Sequence, residues 1–519
     1  MPPSIPSPQP PPIPRPRGAA EPRRRSGAAL RTAWPLAGLT LLLLAGCRAE
    51  PTLDRRGRSV LITLIDAASA LHLSAYGYPR STTPFLERFG ERGLRFADVS
   101  AAAPYTLASV ASLFLGEHVD VHGVEWAGDP LPEGLEVLPE AFEEAGYRCF
   151  GFSSNLHISP RFGFERGFSR FEFVDPEVGR QPHHEVPPAL LAGLSEELRR
   201  EPGRALFGYV HLMPPHAPYD PPPPFATRFG AVDRAFGSIE FLTPLSRGAR
   251  VATPAERQAV IDLYDASLAY ADSILEGIGA DLERSGRAGE VDWIVISDHG
   301  EAFGERKLFQ HSSLVLETML RVPLLWRFCD GSLAGQVIER PVSLIDLHPT
   351  LRELYALPGL APETSISLVP LLLGRPLERE PWILARTASP GPYTSLRRGP
   401  WKLTFEAQTK RRRLNHVERD VFELDNRLTQ EPERASALQS ELTRWWARHR
   451  PAAAARSRLP LDAATRAQLE KIGYLTGGES AEAAGAEAEA LDPALSEPAQ
   501  PHASPPIDPA PPPLDSVGG

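Results

Sequence analysis

A chain of 519 residues is long enough for two or three domains, and its formal net charge of −10 limits the partners it can bind. The first 46 residues hold six Arg and one Glu, so the remaining chain carries about −15. This charge argues against a protein that binds nucleic acid through overall positive charge, and we expect no nucleic-acid partner. Three cysteines, at positions 47, 149 and 329, are too few for a disulfide framework.

The first 57 residues are predicted to be a targeting segment followed by a linker. Residues 1–46 form a proline-rich leader that leads through arginines into a short apolar run, which fits the hydrophobic region of an export signal. The run ends in LLAGC, which resembles the bacterial lipobox, where the cysteine is acylated and becomes the mature N-terminus. We therefore expect an exported protein of the cell envelope, lipid-anchored to a bacterial membrane through Cys47, with residues 47–57 as the linker. An uncleaved anchor or a plain secretion signal is the alternative.

Residues 58–375 show the alternation of strands and helices that is typical of an α/β fold. SVLITLI, at 59–65, is a continuous apolar run rich in β-branched residues, as expected for a strand covered on both faces. Three further segments have the same character: 147–154, 205–213 and 292–297. The sequence therefore predicts a large, mostly parallel sheet flanked by helices.

One long helix is predicted between the third and fourth of these strands. Thr253 is its N-cap, Pro254 its first residue and Glu256 the partner in a capping box, while Gly277 and Gly279 are predicted to end it.

The pattern changes near residue 376. Segments beginning PWILARTAS, YTSLRRGPW and RDVFELDN indicate antiparallel strands, and a helix is expected from about Glu431 to Arg448. Residues 376–475 are thus predicted to form a smaller C-terminal α+β subdomain. The Pro-, Ala- and Glu-rich tail at 476–519 is predicted to be disordered.

Residues that commonly bind metals follow two of the predicted strands. Asp66 comes directly after the first strand, and Asp298 and His299 come after the strand at 292–297. Ligands of parallel α/β sheets bind outside the carboxyl ends of strands, so these side chains are expected to meet at one edge. Asp and Gly are also ordinary turn residues, so a polar cap on the strand is the alternative.

A hydroxyl and several histidines offer further candidate groups. Thr106 stands at the start of a predicted helix, where it is either a plain N-cap or a nucleophile in the positive field of the helix end. His211 and His216 follow another predicted strand, and further segments add His122, His311 and Arg321. A single histidine of this kind is usually a packing residue, but several at strand ends favour a site.

The order of these segments resembles the sulfatase family of the alkaline phosphatase superfamily, from about Ser59 to Leu475. The matching stretches include VLITLID, APYTLASVASLFLGEHVDVHGV, PRFGFERGFSRFE, PPHAPYDPP, ISDHGEAFGE, LRVPLLWR, VSLIDLHPTL and VFELDN. The resemblance implies a large α/β domain with one divalent ion, Ca²⁺ in the family, and a sulfate- or phosphate-ester substrate. It also implies that Asp66, Asp298 and His299 are metal ligands and that Thr106 occupies the nucleophile position. His216 and His311 would hold the anion or protonate the leaving group.

The chain departs from the family at three of these places, one of which is Pro214, where relatives often carry Asp. Sulfatases make a formylglycine nucleophile from a Cys-x-Pro-x-Arg motif, whereas this chain reads TLASV from Thr106. The first metal segment reads DAASALHL, so Ala67, Ser69 and Leu71 stand where relatives carry polar groups. Asp66, Thr106, Asp298 and His299 still form a four-ligand set, and mixed oxygen and nitrogen ligands suit Mn²⁺ or Zn²⁺.

Three functions follow from this set of matches and departures. The first is an exported, sulfatase-like, metal-dependent hydrolase of sulfate or phosphate esters with Thr106 as nucleophile. The second is a Thr-based phosphotransferase that resembles lipoteichoic acid synthases. The third is a catalytically inactive lipoprotein that kept the sulfatase fold and acts as a binding protein.

Overall fold

The computed structural model describes residues 53–125, 128–174, 185–230, 233–311, 314–387, 392–449, 461–463 and 465–467. The predicted leader, Cys47 and the tail at 476–519 lie outside the described residues. The strands are β1 (Ser59–Ile65), β2 (Leu94–Ser100), β3 (Arg148–Ser153), β4 (Arg170–Phe173), β5 (Leu206–Leu212), β6 (Val291–Ile296), β7 (Ala302–Phe303), β8 (Phe309–Gln310), β9 (Arg321–Arg327), β10 (Gln336–Ile338), β11 (Val342–Ser343), β12 (Ile383–Arg386), β13 (Tyr393–Arg398), β14 (Trp401–Glu406) and β15 (Arg412–His416). The helices are α1 (Pro84–Glu91), α2 (Thr106–Leu115), α3 (Val119–His122), α4 (Leu138–Glu144), α5 (Pro188–Arg199), α6 (Ile239–Ser246), α7 (Pro254–Arg284), α8 (Glu317–Leu320), α9 (Leu347–Tyr355), α10 (Val369–Leu372) and α11 (Pro432–His449).

The described strands build one large sheet that confirms the predicted α/β class. Its order is β10-β2-β9-β6-β1-β5-β3-β4, with β11 also paired to β2, and only β9 runs antiparallel to its neighbours. Every residue of β1, β5 and β6 is buried, because two apolar clusters cover the two faces of the sheet. Within the described part of the chain, no helix has the length and apolar character to cross a membrane.

The long helix α7 begins as the sequence predicts and ends later. Thr253 and Glu256 form the expected capping box. The helix continues past Gly277 and Gly279 to Arg284, so the predicted end is wrong. A β-carbon at Gly279 would lie 3.2 Å from the Trp293 ring, so this glycine lets α7 approach β6 closely.

A separate antiparallel sheet, β12-β13-β14-β15, carries α11 on one face. The predicted helix from Glu431 to Arg448 agrees with α11 to within one residue at each end. The strand predicted at RDVFELDN is wrong, because the carboxylate of Asp420 accepts hydrogen bonds from the backbone N–H groups of Leu424 and Asp425 and folds that segment into a turn. The fourth strand is β15 instead.

Buried ion pairs attach this smaller sheet to the large one. Arg397 on β13 pairs with Asp98 and Glu317, and the Nζ of Lys402 on β14 lies 2.9 Å from a Glu317 oxygen. Glu317 begins α8, and the next residue packs its carbonyl against Gly300, where a β-carbon would be only 2.3 Å away. The C-terminal sheet therefore supports the loop that carries Asp298 and His299.

Candidate metal and catalytic site

The candidate ligands meet at the carboxyl edge of the large sheet. β1 and β6 are parallel neighbours with Leu64 opposite Ile296, so the loops that follow them leave the sheet side by side. Asp66, Asp298 and His299 are each 0% exposed, and one ligand atom from each lies within 4.8 Å of the other two. The expectation from strand ends is therefore met for all three residues.

Thr106 is placed against this cluster by the start of α2. Its Oγ1 lies 3.3 Å from Nε2 of His299 and 3.5 Å from Oδ1 of Asp66. The N-cap of the helix is Tyr105, so the alternative of Thr106 as a plain N-cap is wrong. The hydroxyl lies at the positive end of a ten-residue helix, a field that stabilises negative charge on oxygen.

The arrangement of donors fits one divalent ion. The imidazole Nδ1 of His299 donates to the carbonyl of Gly300 at 2.9 Å, which leaves Nε2 as the ligand nitrogen. Nε2 lies 3.6 Å from Oδ1 of Asp66 and 3.6 Å from Oδ2 of Asp298. Four donors around Zn²⁺ at about 2.1 Å would be roughly 3.4 Å apart, close to these separations. Oδ2 of Asp298 is buried without a hydrogen-bond partner among the described residues, as expected for a ligand atom.

Two further residues fix the orientation of Asp66. Asn155 donates from Nδ2 to Oδ2 of Asp66 at 2.7 Å, and Nε2 of His211 lies 3.0 Å from the same oxygen. The hydroxyl of Tyr209 lies 2.9 Å from the other nitrogen of His211. One carboxylate oxygen is thus occupied, and Oδ1 is the oxygen directed at Thr106. Burial opposes ionisation of Asp66, but His216 and His211 hold its pKa well below the usual range.

His216 and His311 also reach the site. Their ring centroids are 5.0 Å apart, and the ring of His311 lies 4.3 Å from that of His299. Glu301 is buried beside them and its Oε1 lies 3.1 Å from Nδ1 of His311. Burial raises the pKa of Glu301 to about 7 and lowers the pKa of His311 to about 3. Burial also lowers the pKa of His157, whose electrostatic neighbours are Asp66, His216 and His311, to about 4.

Two residues noted in the sequence lie elsewhere. His122 is buried on α3 with Nε2 at 2.8 Å from the hydroxyl of Ser112, and it accepts the backbone N–H of Val124. Arg321 pairs with Asp98 at 2.7 Å. Both stabilise the fold around the site and belong to no part of the ligand cluster.

The sequence indicates no role for Asn155, His157 or Glu301, and it offers His211 only as one of several candidate histidines. Asn155 and His157 follow β3, whose carboxyl end lies at the same sheet edge, so strand-end position was the available signal. Glu301 stands in the DHGE stretch, two residues after His299. Nothing in the sequence shows that these side chains contact Asp66 or His311.

The Asn155 contact leads to a prediction about metal affinity. Asn155→Leu removes one donor from the ligand carboxylate at nearly constant volume, so the divalent-ion affinity should fall about 10- to 100-fold. Competition with a chelating dye measures it. His122→Gln, at a buried histidine outside the cluster, is the control and should bind the ion as the wild type does. Wild-type affinity in Asn155→Leu would show that Asp66 is not held for a ligand role.

The fold and the cluster together define an α/β protein with a buried candidate metal site beside a hydroxyl at a helix start. The family model for sulfatases matches residues 58–356, more than half of the chain, and the protein belongs to the sulfatase family.

Curated relatives include both sulfatases and phosphoethanolamine transferases. The chain is 24% identical to the phosphatidylethanolamine transferase Mcr-1 of Escherichia coli over 265 residues, which are 50% of this chain and 45% of that protein. It is 26% identical to the human N-sulphoglucosamine sulphohydrolase over 354 residues, 62% of this chain and 64% of that protein. The chain therefore spans between about half and two thirds of the length of these relatives.

Solved structures share the architecture. The phosphonate monoester hydrolase of Agrobacterium radiobacter superposes with a TM-score of 0.61 at 19% identity, covering 76% of this chain and 96% of that one. At this identity the likeness establishes the fold.

Proposed function

We propose that this protein is a metal-dependent enzyme that cleaves phosphate or sulfate esters with Thr106 as the nucleophile. The observation that carries the proposal is the position of the Thr106 hydroxyl, 3.3 Å and 3.5 Å from atoms of two candidate ligands. A hydroxyl kept for helix capping would face backbone N–H groups, whereas this one faces His299 and Asp66. Family members act on such esters, and the same chemistry fits this cluster.

Phosphate esters are the better substrate for this nucleophile. A formylglycine hydrate releases sulfate by elimination, but an esterified threonine has no second hydroxyl and must be freed by attack at phosphorus or sulfur. The TLASV segment therefore favours transfer of a phosphoryl group to water or to a second acceptor. Transfer to an acceptor is the second candidate, and the match to a phosphatidylethanolamine transferase supports it.

Each residue of the candidate site has its own role in the proposed reaction. Asp66, Asp298, His299 and Thr106 would hold the ion, which supplies charge neutralisation and lowers the pKa of the bound hydroxyl. Thr106 attacks the ester, and the start of α2 stabilises the negative charge that develops on its oxygen. His216 and His311 face the same space and hold the anion. Four mixed donors favour Zn²⁺ or Mn²⁺ over Ca²⁺, which takes six or more oxygens.

Metal removal and a substrate series test the proposal. The purified protein is stripped with a chelator, reloaded with Zn²⁺, Mn²⁺ or Ca²⁺, and assayed on an aryl sulfate, an aryl phosphate and an aryl phosphodiester. We expect cleavage of at least one phosphate ester, lost on stripping and restored by Zn²⁺ or Mn²⁺. Absence of turnover with every ion and ester would contradict the proposal and favour an inactive binding protein.

The proposed location is the cell envelope, with a lipid on Cys47. In cells fed a labelled fatty acid, the wild-type protein should incorporate label and Cys47→Ser should not, because the thiol is the acceptor. Cys329→Ser is the control and should be labelled like the wild type. Equal labelling of wild type and Cys47→Ser would contradict lipidation at this residue.

A further inference from the structure

A network of buried ion pairs joins the C-terminal sheet to the short helix α8. The Nζ of Lys402 lies 2.9 Å from Oε1 of Glu317 and 2.8 Å from Oε1 of Glu423. The guanidinium of Arg397 lies 3.1 Å from the other oxygen of Glu317 and also pairs with Asp98. A buried charge is tolerated only with partners of opposite sign, and each of these carboxylates has such a partner.

Glu317 stands at the centre of this network. It is 2% exposed and begins α8, and each oxygen of its carboxylate faces a cation. Its backbone N–H donates to Oε1 of Glu423 at 2.8 Å. Burial opposes ionisation of the carboxylate, but Lys402 and Arg397 hold its pKa below the usual range. The first residue of α8 is therefore fixed in position by side chains from residues 397–423.

The helix α8 holds the loop that carries two of the candidate ligands. The carbonyl of Met319 accepts the backbone N–H of Gly300 at 2.7 Å. Gly300 follows His299 directly, and its own carbonyl lies 2.9 Å from Nδ1 of that imidazole. A β-carbon at Gly300 would lie 2.3 Å from the carbonyl oxygen of Thr318, so only glycine lets α8 approach this closely. A shift of α8 would therefore move the group that orients His299.

The same helix holds the segment that leads to the candidate nucleophile. The carbonyl of Leu320 accepts the backbone N–H of Ala101 at 2.8 Å. Residues 101–105 are all buried and connect β2 to Thr106, which leaves this short segment little room to move on its own. The helix α8 is thus hydrogen-bonded both to the residue after His299 and to the start of the segment before Thr106.

We propose that Glu317 is a positioning residue that sets the separation between the Thr106 hydroxyl and the His299 imidazole. This inference rests on the proposed function, because these two groups would hold the same ion. Oγ1 of Thr106 lies 3.3 Å from Nε2 of His299, a separation that suits two donors to one ion. Lys402 and Arg397 hold the carboxylate, and α8 connects it to both segments through two backbone hydrogen bonds.

The affinity for Zn²⁺ tests this role. Glu317→Gln keeps the size of the side chain and removes the charge that Lys402 and Arg397 hold, so α8 should lose its fixed position. We expect the Kd for Zn²⁺ to rise about tenfold in competition with a chelating dye, at a temperature where the variant is fully folded. At saturating Zn²⁺, kcat on methyl 4-nitrophenyl phosphate should fall at least about tenfold with little change in KM, because the two groups are misplaced.

Two further variants separate positioning from stability. Trp445→Phe removes the 2.7 Å hydrogen bond from the indole Nε1 to Asp120, a buried contact between α11 and α3. It should lower the melting temperature and leave the Kd for Zn²⁺ at the wild-type value, because this contact lies outside the network around Glu317. Lys402→Met leaves Arg397 in contact with Glu317 and should raise the Kd less than Glu317→Gln does. It replaces that variant in the comparison if Glu317→Gln does not fold.

Amide hydrogen exchange tests the connection without metal. In the metal-free protein, the amides of Gly300 and Ala101 should exchange at least about tenfold faster in Glu317→Gln than in the wild type, because their acceptors are carbonyls of α8. Both amides should exchange at the wild-type rate in Trp445→Phe.

The two measurements decide separately on this role and on the proposed function. Wild-type Kd and exchange rates in folded Glu317→Gln, or an equal loss of Zn²⁺ affinity in Trp445→Phe, would overturn the positioning role. A wild-type protein that binds no Zn²⁺ would overturn the proposed function, and the exchange rates would still show whether Glu317 fixes both segments.

Discussion

Replacing Thr106 by alanine is expected to lower kcat/KM for a phosphate ester by at least about 10³-fold while the protein stays folded. The hydroxyl is the nucleophile in the proposed reaction, and it lies between Asp66 and His299. The N-cap of α2 is Tyr105, so loss of the Thr106 hydroxyl costs the helix no capping bond from that position. Steady-state kinetics and thermal melting measure the two effects separately.

Two matched variants give this experiment its control. Thr106→Ser keeps the hydroxyl and should retain part of the activity. Ser112→Ala removes another buried hydroxyl from the same helix, one that contacts His122, and should leave activity unchanged. Wild-type kinetics in Thr106→Ala would show that the nucleophile is a different group.

The second large effect is expected at Asp298. In Asp298→Asn the amide oxygen can still accept the backbone N–H groups of Ala67 and His299, which bond to Oδ1 in the native protein. The change replaces Oδ2, which is buried and has no hydrogen-bond partner among the described residues, with a nitrogen that cannot bind an ion. We expect the bound metal to fall from about one ion per chain to none.

Compared with the wild type, Asp298→Asn should be at least as stable without metal and less stable with metal. Without metal, it should melt at or above the wild-type temperature, because two buried carboxylates no longer repel each other. With metal at a hundred times Kd, the wild type should gain about 2.7 kcal/mol that the variant lacks. Asp292→Asn is the control, since this buried residue of β6, the strand that leads to Asp298, pairs with Arg55 and should keep the metal while losing stability. Equal metal content in wild type and Asp298→Asn would place the ion elsewhere.

The strands were predictable from the sequence where the hydrophobic pattern of a segment agrees with its burial in the structure. The apolar runs of β1, β3, β5 and β6 are buried on both faces, so their sequences carry the signal of a covered parallel strand without interruption. The end of α7 was not predictable, because Gly279 serves the packing of the helix on Trp293 and only appears to be a stop signal. The VFELDN segment has the composition of a strand. The carboxylate of Asp420 accepts hydrogen bonds from the backbone N–H groups of Leu424 and Asp425, and these bonds hold the segment in a turn.

The candidate site was likewise predictable from the sequence only in part. Asp66, Asp298 and His299 were predictable because parallel strands bring their carboxyl ends to one edge. Thr106, His216 and His311 were candidates from their positions in the sequence, the resemblance implied their roles, and the structure brings all three to the cluster. The supporting contacts of Asn155, His211 and Glu301 depend on side-chain distances across up to 145 residues of chain, and periodicity holds no information on those distances.

The central claim is that Thr106 forms a covalent bond to the transferred group, and mass spectrometry tests it most directly. The metal-loaded wild type is mixed with an aryl phosphodiester, quenched in acid during turnover and digested. We predict that the peptide containing Thr106 gains the mass of the transferred phosphoryl group, that fragmentation places it on Thr106, and that Thr106→Ala shows no such peptide. Continued turnover with Thr106 unmodified, or with the group on another residue, would contradict the account.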